Sequence, residues 1–453
     1  MLSPPFAFKR QAARLRVTGK RTADSRQLPF PSHPSGQAVP HYPILRNCGR
    51  TSELSRGKPL RYRGLVLLVC GVLLCAGGAL GQTGSLNSFY EAGLKRNGIV
   101  GSRLVLLDGA NLAFEDSYGY ARLGTRQPVD ANTAFHWASI TKTFTAIAIM
   151  QLRDHGRLKL DDPVVKYIPE LAVVHDAWGP VSAITIRHLL THSSGFRNPT
   201  WPWSGDQPWY PFEPTQWSQI VAMLPYTQVE FTPGTQYSYS NLGYVFLGQI
   251  IERLSGDDYE VYVDKNVLKP LQMYHSYFDK APYHLLQYRS ASYELKGGKI
   301  RELPFDFDTG ITVSNGGLNA PLSDMVKYLN FLLGEPAGTP IYDEVLKRAS
   351  LQEMFQPQLK TVASPGDPAN GPDEKDSMGL GVFVRREGGH RLIGHAGEQN
   401  GFISHFYIDP ESRRAYIVAY NTAAYDAGQN TQVFDRELRD YLIQHFLLDS
   451  TGR

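Results

Sequence analysis

Apolar and polar positions fall into strand-like runs near both ends of the folded part of this chain, with helix-like runs between them. Ser102–Leu107 and Leu112–Tyr118 are strand-like, and Asp108-Gly109-Ala110-Asn111 between them has the chemistry of a hairpin turn. From Lys142 the text Thr-Phe-Thr-Ala-Ile-Ala-Ile-Met-Gln-Leu reads as an apolar helix that starts near Ser139 and is ended by Gly156. Residues from about 157 to 345 are mostly helical and loop-rich. Thr185–His192 predicts a short helix, and Tyr244–Leu254 and Leu322–Leu333 longer amphipathic ones. Trp201, Trp203, Trp209 and Trp217 stand among prolines in what reads as a loop covering something. Strands return at Leu380–Arg386, Gly401–Ile408 and Arg414–Tyr420, with Gly388-Gly389 and Pro410-Glu411-Ser412 as turns. Thr431–Leu447 closes the pattern as an amphipathic helix. This order predicts one sheet completed from both ends, about 86–156 and 346–447, with a helical part at about 157–345 inserted between them.

The first 81 residues follow no such pattern. Residues 1–57 are rich in Pro, Ser, Arg and Gln and read as a disordered basic extension, in keeping with a misassigned start. Residues 58–81 read as a signal peptide. Arg61 and Arg63 precede a charge-free apolar run, and Ala79 and Gly81 are placed for cleavage before Gln82. The expected destination is the periplasm or the exterior. The alternative is an uncleaved membrane anchor through 64–81, a run about long enough to span. Charge divides at the same boundary. Residues 1–63 hold 13 Lys+Arg against 2 Asp+Glu, and the remainder 33 against 41. The folded part is therefore acidic, which argues against nucleic acid as a partner. Cys48, Cys70 and Cys75 all precede it, which excludes a thiol nucleophile or a disulfide from residues 82–453.

The chemistry centres on Ser139-Ile140-Thr141-Lys142. A hydroxyl and an amine three positions apart share a helix face, and a serine becomes a nucleophile when a neighbouring base takes its proton. Ser55 and Lys58 have the same spacing, but in the stretch read as unstructured. Tyr239-Ser240-Asn241, after the turn Pro233-Gly234, offers a phenol able to pass a proton and an amide able to hold a substrate carbonyl or the lysine. Tyr328 and Asn330 repeat that spacing mid-helix, where they read as packing. His395-Ala396-Gly397 offers a cation or donor on an edge strand, with small residues that let a substrate lie against backbone; Lys296-Gly297-Gly298 is better read as a hairpin turn. His188 and His192 stand four apart like a helical metal pair, yet no third ligand is evident. Asp161 and Asp162 read as a turn and helix cap before Pro163.

Ser-x-x-Lys, then Tyr-x-Asn, then His-x-Gly, in that order, resembles the penicillin-recognising serine hydrolases, most of all their class C β-lactamase branch with its D-alanyl-D-alanine carboxypeptidases, aminopeptidases and esterases. Leu158–Pro163, Ile184–Gly195, Phe231–Gly234 and Gly394–Gly397 are similar to family text, and the resemblance covers about residues 86–447. It implies an α/β (α+β) fold: an antiparallel sheet flanked by helices, with an inserted all-α domain and the site between them. It implies Ser139 as the acylated nucleophile, Lys142 and Tyr239 sharing base and acid work, and Asn241 holding the substrate amide. The oxyanion site would be the backbone N–H groups of Ser139 and of Glu398, after Gly397. It implies a small-molecule or peptide substrate and no metal or cofactor. His395 departs from the lysine of most class C β-lactamases. It is expected to orient a substrate carboxylate once a neighbouring carboxylate or buried partner keeps it charged. A non-hydrolytic penicillin-binding or peptidoglycan-sensing module of the same fold is the alternative reading.

Overall fold

A computed structural model describes residues 85–196, 214–304, 309–361 and 376–449. The basic extension, the signal or anchor segment, the Ser55/Lys58 pair and Trp201, Trp203 and Trp209 lie outside the described residues. Nine strands form the central sheet: β1 (Gly101–Asp108), β2 (Asn111–Arg122), β3 (Gln127–Pro128), β4 (Leu359–Lys360), β5 (Asp376–Met378), β6 (Phe383–Glu387), β7 (His390–Gln399), β8 (Phe402–Asp409) and β9 (Arg414–Tyr420). Their order is β4-β5-β6-β7-β8-β9-β1-β2-β3, every pairing antiparallel. The join between the two ends of the chain is the β9–β1 pairing, in which Ser102 faces Tyr420 and Asp108 faces Arg414.

Successive side chains of a strand point to opposite faces, and this sheet is covered on both. Val105, Leu107, Phe402, Phe406, Ile417 and Ala419 enter one apolar core; Leu104, Leu106, Ile403, Tyr407, Tyr416 and Val418 enter another. The second core is closed by helix α1 (residues 85–96) and, from the far end of the chain, helix α5 (Thr431–Leu442). These two helices touch closely. A Cβ on Gly93 would stand 1.9 Å from the Phe434 ring, and Phe89 stacks on Tyr441 at 4.6 Å. The first core is closed by α2 (Thr141–Asp154), α3 (Asn241–Ser255) and α4 (Leu322–Leu333). Helix α2 is buried almost all round, as an apolar helix without a polar face must be.

Trp217 does not lie in a covering loop. It opens the helix Trp217–Met223, packs edge-on against Phe246 and donates its indole N–H to Glu170 at 3.2 Å. The hairpin reading of Gly297-Gly298 holds: both have φ above 60°, between the paired strands Ser292–Lys296 and Lys299–Leu303. Among the described residues no helix is long and apolar enough to cross a membrane.

Candidate active site

Ser139 stands on a turn that three contacts fix. The short strand Ala134–His136 pairs with Leu318–Pro321. Beyond it, the Trp137 indole donates to Ala320 O at 2.9 Å, and the Leu318 N–H donates to Thr141 Oγ1 at 3.0 Å. Between them Ala138 takes φ 45°, a left-handed conformation that a side chain resists by roughly 1–2 kcal/mol. The helix therefore does not begin at Ser139 as the sequence predicted. Ala138–Ile140 is one 3₁₀ turn and α2 follows from Thr141. Ser139 is half-buried at the positive end of that helix.

Lys142 lies one turn on and is fully buried. Its Nζ stands 2.9 Å from Ser139 Oγ and donates to Asn315 O at 2.7 Å. It also lies over the rings of Tyr239, 5.0 Å away, and Tyr244, 5.7 Å away. Burial holds its pKa well below the ordinary lysine value. A neutral amine so placed keeps one N–H on the Asn315 carbonyl and turns its lone pair to the serine hydroxyl. The sequence reading gave Asn241 a share in holding this lysine; the backbone carbonyl of Asn315 is the acceptor here.

Tyr239 arrives ahead of α3. Ser240 caps that helix by accepting the Gly243 N–H at 3.1 Å, and its own N–H donates to His192 Nδ1 at 3.0 Å. His192 then lies flat against the Tyr239 ring, 4.2 Å between centroids. Asn241 is the first residue of α3, and its buried Oδ1 has no hydrogen-bond partner.

His395 and Gly397 lie within β7, a ten-residue strand; the sequence reading put this motif on an edge strand but gave that strand no bounds. Strand β6 pairs with it only as far as Phe383 opposite Gly394, so among the described residues its second half is open on that side. The Ser139 turn fills this opening. A Cβ on Gly397 would stand 2.2 Å from Trp137 O, so only glycine allows the approach. The Glu398 carboxylate turns away, accepting from Tyr425 OH at 2.6 Å and from Gln432 Nε2. His395 donates from Nδ1 to Ala396 O at 2.7 Å and has its ring 5.1 Å from that of Phe383. Its pKa moves opposite to the sequence expectation. Burial first, then the field of Lys142, pushes it down to about 3 against the pull of the Ala396 carbonyl. His395 is thus a neutral imidazole in this site, and the pH-dependent cation expected for a carboxylate is withdrawn.

The family described as Beta-lactamase matches residues 86–437. The chain belongs to the beta-lactamase family. The curated relative Protein flp of Staphylococcus aureus (strain MW2) is 25% identical over 336 residues, which are 74% of this chain and 62% of the relative. The chain thus spans about three-fifths of the length of such relatives. The octameric penicillin-binding protein homologue of Pyrococcus abyssi superposes with a TM-score of 0.62 at 25% identity, over 80% of this chain and 77% of that one. A Yersinia pestis β-lactamase/D-alanine carboxypeptidase superposes with a TM-score of 0.65 at 21% identity, over 81% and 99%. The β-lactamase/transpeptidase-like fold is the one these proteins share.

In this beta-lactamase-family chain the structure separates the competing motifs. Tyr328 is fully buried in α4 and donates to Thr143 Oγ1 at 2.7 Å, a packing role, whereas Tyr239 meets Lys142. His188 does not pair with His192. It joins Thr185 in a reciprocal cap on the helix Ile186–Leu190, while His192 lies past the end of that helix with φ 52°. Asp161 binds Arg187, and Asp162 accepts the Lys159 N–H at 2.9 Å and the Tyr167 hydroxyl at 2.5 Å. His192 itself is the residue the sequence reading missed at the site. In the sequence it shows only as half of the His188/His192 spacing, and its neighbours Thr191, Ser193 and Ser194 give no sign that it carries Tyr239.

Burial also holds the pKa of His192 well below 6.5, with Lys142 and His395 adding to the shift, and burial lowers that of His136. An unfolded histidine protonates near pH 6.5, so below that value, and for His395 down to about 3, these positions bind more protons in the unfolded chain than in the native one. The stability these three confer is complete above pH 6.5 and falls with pH. His395 alone accounts for about 2–3 kcal/mol on going from 6.5 to 4.5. Urea unfolding at pH 7.5 and 4.5 is expected to show this loss, and His395→Gln a smaller one. Equal losses in both proteins would remove His395 from the account.

Proposed function

We propose that the chain is an exported serine hydrolase that cleaves an amide or ester through a Ser139 acyl-enzyme. One observation carries this reading: a lysine whose burial holds its pKa low, with no carboxylate beside it among the described residues, stands 2.9 Å from a serine hydroxyl at a helix N-terminus. Ser139 Oγ bonds to the substrate carbonyl carbon while its proton passes to the Lys142 amine or to Tyr239. The oxyanion lies between the backbone N–H groups of Ser139 and Glu398. The carbonyl then re-forms, the leaving nitrogen or oxygen departs with the returned proton, and water releases the acyl group. The names of the relatives, penicillin-binding protein homologue and β-lactamase/D-alanine carboxypeptidase, support β-lactams and D-amino-acid peptides as substrates to try, and the acyl-enzyme chemistry itself adds small esters. Residues 58–81 support export to the periplasm or beyond, or attachment to a membrane through 64–81.

The test is incubation of the purified protein with a fluorescent penicillin, an ester panel and D-amino-acid peptides, following label and turnover together. Turnover of any of them is the expected result. Labelling without turnover would mean a penicillin-binding sensor, and neither would overturn the reading. Tyr239→Phe is expected to lower turnover by two or more orders of magnitude, the scale of general acid–base help. Tyr328→Phe is expected to leave it unchanged. Equal effects would mean that Tyr239 is not the proton carrier.

A further inference from the structure

Among the described residues, two buried acceptors in the site have nothing to accept from. The Nδ1–H of His395 is committed to Ala396 O, so in the neutral ring Nε2 carries only a lone pair. That nitrogen is buried, in a residue 3% exposed, and has no hydrogen-bond partner. Asn241 Oδ1 is likewise buried and partnerless. A file of rings ties the two together: Phe383 beside His395, Tyr237 beside Phe383, His192 beside Tyr237, and Tyr239, two residues before Asn241, stacked on His192. Ser404 Oγ, behind Gly397, is a third buried polar atom without a partner. An unmatched buried acceptor costs about 1–3 kcal/mol, and the two here, His395 Nε2 and Asn241 Oδ1, point to a donor that arrives with a ligand.

We propose that the His395–Asn241 side of the site takes an uncharged substrate group bearing an N–H, such as a carboxamide, and discriminates against a carboxylate. This rests on the hydrolase reading above. A carboxamide N–H supplies what Nε2 and Oδ1 lack. A carboxylate has no hydrogen to give, so it would set lone pair against lone pair in a buried site. Among the described residues of the cluster no free cation is at hand. Lys142 directs its nitrogen to Ser139 and Asn315 O, and the other histidine of the cluster, His192, is neutral as well. Sites built around buried hydrogen bonds reject analogues that leave those bonds unmade far more strongly than apolar pockets reject size.

The experiment compares 3-carbamoylphenyl and 3-carboxyphenyl phenylacetate, two esters that differ in this group alone, at pH 7.5, with rates corrected for their hydroxide-catalysed hydrolysis. The expected result is at least a tenfold higher kcat/KM for the carbamoyl ester, with His395→Lys narrowing or reversing the ratio. Equal kcat/KM values, or preference for the carboxylate, in the unaltered protein would overturn the inference whatever the variant does. Intact-mass detection of the phenylacetyl adduct on Ser139 separates the two levels. An adduct from both esters without discrimination defeats this inference alone. Neither adduct nor turnover from either ester defeats the hydrolase reading and this inference with it.

Discussion

Ser139→Ala is expected to abolish both acyl-adduct formation and turnover while leaving thermal stability nearly unchanged. Losing a nucleophile of this type costs on the order of a millionfold in rate. The fold loses little, because Ser139 is half-buried and its hydroxyl meets the Lys142 amine, which keeps its bond to Asn315 O. The turn that presents it is held by Trp137, Thr141 and Leu318, none of which is altered. Intact-mass spectra after exposure to a reactive ester, together with a thermal melt, check both halves. A folded Ser139→Ala protein that still acylates would place the nucleophile elsewhere.

The second large effect separates activity from stability. Lys142→Met is expected to lower turnover by three or more orders of magnitude, since the serine loses the amine beside it, yet to melt at the same temperature or a few degrees higher. A buried amine with no carboxylate partner is a desolvation cost, and replacing such a group by an apolar one of similar volume is often neutral or stabilising. The opposing term is the Asn315 carbonyl left without its donor, about 1–3 kcal/mol. The sign of the pH dependence follows from the depressed pKa. Below the unfolded lysine pKa of about 10.4 the unfolded chain binds the extra proton, so the cost of Lys142 is greatest at low pH and fades as pH rises towards that value. The gain from Lys142→Met should therefore be larger at pH 6 than at pH 9. A melting temperature that falls by more than about 5 °C at both would make Lys142 a structural residue.

How far the sequence carried depended on how local each feature is. Ser139 and Lys142 could be paired from text because three residues along a helix is a fixed geometry. The β1–β2 hairpin and helices α4 and α5 showed through their turns and their apolar periods. Strand β7 did not show its bounds. Its Gly394-His395-Ala396-Gly397 lacks the branched and aromatic residues that mark a strand, and what makes it one is burial between β6, β8 and the Ser139 turn. The Asn315 carbonyl that holds Lys142 belongs to the backbone and leaves no mark in side-chain chemistry. The direction in which the His395 pKa moves is hidden from the sequence for a related reason. Its pKa is driven down by burial, to which the Phe383 ring contributes, and by the charge of Lys142, and Lys142 lies far from it in the chain.

The junction at which β9 lies against β1 has a kinetic meaning. Ser102 finds its neighbour Tyr420 only when nearly the whole domain has been made, and α1 finds its cover in α5 later still. During synthesis β1 and β2 can fold back on each other, yet one long edge of that hairpin stays unpaired until β9 emerges. Pairings of such long sequence separation are slow to form and leave apolar strands exposed while they wait. A chain cut off before residue 414 would keep Ser139, Lys142, Tyr239 and His395 intact in sequence and still lack the strand that joins its two ends.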